Sequence, residues 1–411
     1  MRWRIAILIS AAIAISYLDR QTLPVAVQAI SKDIPLTNGQ FSSLQSAFLF
    51  SYALMYAGGG KLVDLLGTRR GFTVIMLFWS LACASHALAA GFAMLLTSRF
   101  LLGMGEGGGF PAATRAVAEW FPSKERATAM GIINAGTAVG AVAAPPLIAA
   151  VLGYTNWRWI FVVTGGLGIF WAAWWRLSYD STRSLVGTFE DPTPESAATL
   201  PWIHLFRIRE TWGLVTAKFL SDAAWFFYLF WLPKYLYDAR GFDVKAVGTF
   251  AWMPSAAAGV GCLLGGGFSS YLLRRNFSLG MARKVALGLS AALMPFVILI
   301  PHVPVSSAIA LFCLAYFGQQ SWSTLVMVLP ADLFPQNIVG SVAGLVGFGG
   351  AMGGIVFGEV VGYLLDHGFG YSAVFRIAGS LHIAAFLIIL FAIPVLSRLK
   401  LEPQLNYRGI P

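Results

Sequence analysis

At 411 residues, with 57% hydrophobic and only 11% charged residues and a mean hydropathy of +0.71, the chain is too apolar for a water-soluble globule, in which about a quarter of residues are charged. A net charge of +10 does not indicate nucleic acid as a partner, because the basic residues fall in short loops between apolar runs and not along one face or tail. Forty-four glycines and 14 tryptophans suit helices that pack closely in lipid and anchor at its surface, and the sequence lacks the alternating ten-residue segments of an outer-membrane barrel.

Hydropathy predicts twelve spans. The first, about 5–30, is too long and too charged at its centre for a cleaved leader, and is expected to remain as the first helix. Its middle holds Tyr17-Leu18-Asp19-Arg20. Two charges near the midplane of a ~30 Å hydrocarbon core cost several kcal/mol unless partnered. Spans follow at about 41–62, with Tyr52, and 71–92. The fourth, about 94–119, supplies Arg99 and Glu106, seven residues and nearly two turns apart, on one helix face with glycines between them. The four charges read either as a polar site for an anion and a proton, or as ion pairs that fix helix register. Arg115 with Glu119, and Glu125 with Arg126, read as loop or gate salt bridges. Spans at about 126–150, with Asn134 and Thr137 one turn apart, and at 157–178 complete the first half.

The longest polar stretch, 179–210, contains Glu190-Asp191-Pro192 and reads as a cytoplasmic linker between an N-terminal six-helix bundle (1–178) and a C-terminal one (211–411). The later spans lie at about 211–236, 245–272, 282–301, 305–329, 340–365 and 371–397. Gly140, Phe161 and Gly165 are echoed by Gly354, Phe375 and Gly379, as expected of an internal repeat with a site between two halves. Most of the 28 lysines and arginines are predicted on one side, which places both termini in the cytoplasm. Lys218 and Asp222, four residues apart, read as a local ion pair or as transport residues, and Glu359 has no evident partner. Cysteines and histidines lack metal-ligand spacing, no cofactor motif is present, and the absence of a nucleophile–base pair or phosphate loop argues against an enzyme.

Gly60-x-Leu62-x-Asp64-x-x-Gly67-x-Arg69-Arg70 resembles the loop motif of the major facilitator superfamily, with departures at Leu65 and Thr68. Tyr17-Leu-Asp-Arg20, Arg99-Phe-Leu-Leu-Gly-Met-Gly-Glu106, the stretch from Phe110 to Pro122, Phe230-Trp-Leu-Pro-Lys-Tyr235 and Leu329-Pro-Ala-Asp-Leu-Phe-Pro335 resemble the anion:cation symporter family, most of all its hexuronate transporters. The resemblance implies an all-α polytopic membrane protein, with twelve transmembrane helices in two pseudo-symmetric six-helix bundles. It implies proton relay by Asp19 and Glu106, and substrate carboxylate binding by Arg20 and Arg99. Asp64, Arg69, Arg70 and Arg115 are then gating residues. Tyr52 matches the family's second-helix tyrosine, and Asn134, Tyr228, Gln319 and Trp322 are candidate contacts for a sugar acid, which needs an apolar wall and neutral hydrogen-bonding groups. The expected protein is a monomeric, proton-coupled importer of a hexuronate or related sugar acid in the inner membrane, working by alternating access with lipid, a small carboxylate and protons as its partners. The alternative is a facilitator, exchanger or exporter of another carboxylate: an aldonate, a monocarboxylate or an aromatic acid.

Overall fold

A computed structural model describes residues 2–121, 123–179, 205–334 and 336–397; within them, the side chains at 56–61, 64, 118, 123–128, 331 and 336–341 fall outside the description. The linker expected at 179–210 therefore lies mostly outside the described residues. Thirteen α-helices account for nearly all of the described chain: α1 (Arg2–Asp33), α2 (Asn38–Ser85), α3 (Phe92–Glu106), α4 (Gly109–Trp120), α5 (Ser123–Tyr154), α6 (Trp157–Ser178), α7 (Arg209–Arg240), α8 (Val244–Phe250), α9 (Trp252–Arg274), α10 (Leu279–Ala292), α11 (Val305–Leu333), α12 (Gln336–Asp366) and α13 (Gly370–Ala392).

These helices make twelve membrane passes. α2 is two of them, joined at Gly67, whose φ of 73° breaks the helix where the sequence predicts a loop. The single spans expected at 94–119 and 245–272 are each broken, at Gly107–Gly108 and at Ala251, and the ninth pass ends in a 3-10 turn, Met294–His302. Among the described residues, eight stretches are long and apolar enough to cross a membrane on composition alone. Passes that fall short of that mark include α3–α4 and α7, which carry Arg99, Glu106, Lys218 and Asp222. The polar residues that weaken the hydropathy signal are the ones of most interest.

The repeat predicted from sequence has a packing basis. Gly140 of α5 lies against the Ala14 carbonyl of α1, and Gly354 of α12 against Phe226 of α7, so each glycine admits the first helix of its half. Gly165 packs on Ser80 of α2 and Gly379 on Val297 and Ile298, the third pass of each half. An all-α membrane protein of two pseudo-symmetric six-helix bundles is the result.

Every hydrogen bond between the halves, among the described residues, lies at the centre or toward the side where α1 ends, here called the far side. Gln21 Nε2 donates to the Leu229 carbonyl at 3.5 Å, Tyr237 donates to the Val25 carbonyl at 2.5 Å, and Ser46 Oγ donates to Glu359 Oε1 at 2.7 Å. The sequence left Glu359 without a partner; the structure supplies one from the opposite half.

At the far end, Asp366 of α12 caps the first turn of α2. Its Oδ1 accepts from the Asn38 backbone N–H (3.0 Å) and side chain (2.9 Å), and its Oδ2 from the Gly39 N–H (2.7 Å). These N–H groups have no intrahelical partner, and an anion at a helix N-terminus also meets the positive end of the dipole. Desolvation pushes the Asp366 carboxyl up, but the Gly39 and Asn38 donors outweigh it and hold it below the ordinary carboxylate value. Its stabilisation of the closed seam is thus present above about pH 4 and is lost only as pH falls through the lower value of the bonded carboxyl. Far-side labelling of a Val25→Cys probe by an impermeant maleimide, taken relative to a freely exposed cysteine at each pH because the thiolate is the reactive form, is therefore expected to stay flat from pH 5 to 8, and to rise several-fold in Asp366→Asn. Labelling of the native seam that rises between pH 8 and 5 would show that another group controls it.

Candidate functional site

The centre of the first half gathers the four charges singled out in the sequence. Asp19 and Arg99 are 0% exposed, Glu106 2% and Arg20 7%. Arg20 Nε donates to Glu106 Oε2 at 2.7 Å, and Ser16 Oγ, one turn before Arg20, donates to the same oxygen at 2.7 Å. Three rings hold the Arg20 guanidinium: Tyr52 at 4.5 Å, Tyr17 at 4.7 Å and Phe48 at 5.5 Å from Cζ to the centroid. Such stacking fixes a planar cation while leaving its N–H edges free to bond. No other hydrogen bond from that guanidinium is formed among the described residues.

Arg99 also lies over the Phe48 ring, 5.2 Å from its centroid, and donates from Nη2 to Gln45 Oε1 at 2.7 Å. Its Nε and Nη1, and Gln45 Nε2, are buried donors without partners among the described residues. The close approach of α3 to α2 follows from Gly103, where a Cβ would overlap the Phe48 carbonyl and Ser51 Oγ.

Asp19, about 100° round the helix from Arg20, meets different partners within the first half. Its Oδ1 accepts from Cys83 Sγ at 3.4 Å, Cys83 contacts Thr164 Oγ1 at 3.2 Å, and Oδ2 has no partner among the described residues. No cation stands within ion-pair distance of it among the described residues. The Asp19–Arg20 mutual neutralisation allowed by sequence is therefore not what is observed: Arg20 pairs with Glu106. Ser16, Gln45, Cys83 and Thr164 were missed as partners. Only Ser16, at i−4 from Arg20 on the same helix, carried a sequence signal.

The remaining candidates separate into distinct places. Asn134 is exposed on α5; nearby Gly136 abuts Ser10, so Asn134 lies about 15 Å along the helix axis from Arg20. Tyr228 is buried against Phe227 and Tyr316, accepts the Tyr316 hydroxyl at its carbonyl (2.8 Å), and leaves its own hydroxyl unpartnered. Trp322 sits in the second half's apolar core, edge-on to His382 and Phe386. Gln319 is also buried, and its Oε1 meets His382 Nε2.

The gating candidates lie on the side where α1 begins, the near side. Arg69 donates to the Arg176 carbonyl (2.6 Å from Nη2), and Arg70 is exposed. Arg115 pairs with Glu119 at 3.0 Å, and Glu119 also accepts from Thr68 (2.6 Å) and Tyr179 (2.5 Å). Burial and the hydrogen bond to Glu119 both push the Tyr179 phenol above its ordinary value. Asp64, Glu125 and Arg126 lie outside the described side chains. In the second half, Asp332 of α11 pairs with Arg283 at 2.8 Å.

Chemically, a stacked guanidinium already holding a carboxylate, beside a second buried guanidinium and an unpaired carboxyl, can bind an organic anion and exchange a proton. No metal-ligating group of three or more residues occurs among the described residues.

The chain matches the Major Facilitator Superfamily over residues 9–358. It is 30% identical over 408 residues to the hexuronate transporter of Escherichia coli (strain K12), covering 95% of this chain and 93% of that one. It is 31% identical over 397 residues to a probable sulfoacetate transporter of Cupriavidus necator, covering 93% and 92%. Among solved structures, a D-xylose-proton symporter shares its fold, with a TM-score of 0.74, 14% identity, and coverage of 94% of this chain and 96% of that one.

Proposed function

Because the chain belongs to the Major Facilitator Superfamily, and is a multi-pass membrane transport protein and not an enzyme, we propose that it is a proton-coupled symporter importing a sugar acid of the hexuronate class by alternating access. The observation that carries the reading is the Arg20–Glu106 pair. The protein's own carboxylate occupies the Nε edge of a guanidinium at the centre of the membrane, and the two Nη groups remain for an arriving carboxylate.

Charge balance gives the coupling. Arg20, Arg99, Asp19 and Glu106 sum to zero with both acids ionised, so a bound monoanion leaves one uncompensated charge in a buried cluster. One proton on Asp19 or Glu106 removes it. Uncompensated charge in the bilayer core is costly, so anion and proton travel together, one for one.

The near side carries Arg2, Arg4, Arg69, Arg70, Arg176, Arg207, Arg209, Arg274, Arg275, Arg283 and Lys284, and we read it as cytoplasmic, with both termini there and the protein in the inner membrane. The closed far seam is then the periplasmic gate. Residues 1–178 and 211–411 act as the two rocking bundles, joined by 179–210.

The similarity to a sulfoacetate transporter at comparable identity favours one second reading, a carrier of a small acid without hydroxyls. Uptake of labelled glucuronate and galacturonate into proteoliposomes, with and without an inward proton gradient, decides. Concentrative uptake that needs the gradient supports the symporter. Uptake that only equilibrates makes it a facilitator, and gradient-driven uptake of sulfoacetate but not of hexuronate moves the substrate to the second reading.

A further inference from the structure

Asp222, Phe226, Leu229, Pro233 and Tyr237 are spaced four, three, four and four residues apart, so they share the stripe of α7 that faces the first half. Leu229 and Tyr237 meet Gln21 and Val25 of α1, and Phe226 lies with Leu49 of α2 against Gly354. These contacts advance together along both helices, which therefore run parallel. Asp222 is one turn before Phe226 on that stripe. With Gln21 level with Leu229, Asp222 lies roughly 9 Å along the axis from Arg20, toward the near side. That is too far for a two-carbon acid to bridge and suits a six-carbon one.

The Asp222 carboxylate is held, and one oxygen is left over. Oδ1 accepts from Lys218 Nζ at 2.8 Å and lies 3.5 Å from Gln319 Nε2; Lys218 also donates to Ser323 Oγ at 3.0 Å. Gln319 is in turn oriented by His382. Oδ2 accepts no hydrogen bond among the described residues, and 11% of the side chain stays open. It rests against Gly350 of α12, where any Cβ would overlap it. A carboxylate neutralised on one side by an ammonium, with its second oxygen unbonded among the described residues and part of the side chain still exposed, is an acceptor for hydroxyl groups.

We propose that Asp222, braced by Lys218 and Gln319, reads the hydroxyls at the end of the substrate remote from its carboxylate. The inference rests on the sugar-acid reading above and deepens it: the cargo is a polyhydroxy monocarboxylate. A site built to bond a hydroxyl rejects the analogue that lacks it far more strongly than an apolar pocket does. A second carboxylate at that end would face Asp222 with Lys218 already paired, so aldarates bind worse than uronates and aldonates.

The test compares glucuronate, its 2-deoxy analogue and glycolate in proteoliposomes. The variants are the charge-neutral double substitution Lys218→Gln with Asp222→Asn, which leaves no lone ion in the bilayer, and Gly350→Ala, which displaces the carboxylate but keeps both charges. In the native protein the KM for glucuronate is expected to be 10- to 100-fold below that of the deoxy analogue, and in both variants the two should converge with glycolate unchanged. Native discrimination that survives in both variants overturns this inference alone, as does an equal loss for all three acids, which is the mark of a packing role. Native protein that takes up no hydroxy acid overturns the underlying reading, and this one with it.

Discussion

Arg20→Lys is expected to raise the KM for substrate at least about 100-fold in reconstituted protein while leaving the fold intact. Lysine keeps the charge, so the central cluster stays neutral and Glu106 keeps a cationic partner. It loses the planar fork and the stack between Tyr17, Tyr52 and Phe48. One charge-assisted hydrogen bond contributes about 1.5–3 kcal/mol and a desolvated cation–π contact about 2 kcal/mol, which together exceed the ~2.8 kcal/mol of a hundredfold change. Arg20→Ala is a different experiment. It leaves Glu106 buried with Ser16 as its single donor, and removing one partner of a buried pair costs about 3–5 kcal/mol, so the alanine variant is expected to lose thermal stability as well. A lysine variant with unaltered KM would mean that the anion docks elsewhere, Arg99 being the next place to look.

The second large effect concerns Asp19. Asp19→Asn should abolish gradient-driven accumulation, leaving counterflow between substrate pools within about threefold of native. The argument is one of partnership. Arg20, Arg99 and Glu106 each have a strong polar partner at 2.7 Å, whereas Asp19 has a thiol at 3.4 Å and nothing on its other oxygen. It is the acid whose charge can change during a cycle without breaking an ion pair. Asparagine is nearly isosteric and neutral in every state, so the carrier can still alternate with substrate bound but has no proton to take along. Uphill uptake retained by this variant would assign the coupling to Glu106 alone. Cys83→Ala is the natural companion, since it removes the thiol that donates to Asp19.

The twelve passes, the repeat and the four central charges were legible in the sequence for a simple reason. A helix that spans lipid must be long and apolar, so a charge inside one stands out, and glycines at matching places in the two halves betray matching helix contacts. The breaks at Gly107–Gly108 and Ala251 were not legible. Each interrupts an apolar run, and periodicity over a buried span does not report where backbone geometry changes. Among the weaker candidates, Trp322 and Asn134 shared the hydropathy and composition of residues near the site, yet one sits in the core of the second half and the other about 15 Å from Arg20 along the axis. Composition gives the helix; only packing gives the face.

By itself the sequence determined the membrane class, the helical architecture, the superfamily and the set of central charges, because each depends on local composition or on spacing along one helix. The tertiary structure alone decided how those charges pair: Arg20 with Glu106 and Ser16, Arg99 with Gln45, Asp19 with Cys83, and Glu359 with Ser46 across the halves. It also joined the local Lys218–Asp222 pair of α7 to Ser323 and Gln319 of α11. Partners separated by tens to hundreds of residues are chosen by which helix faces meet. That choice is made by glycines such as Gly103 and Gly350, which admit a neighbouring backbone or side chain where any larger residue would exclude it.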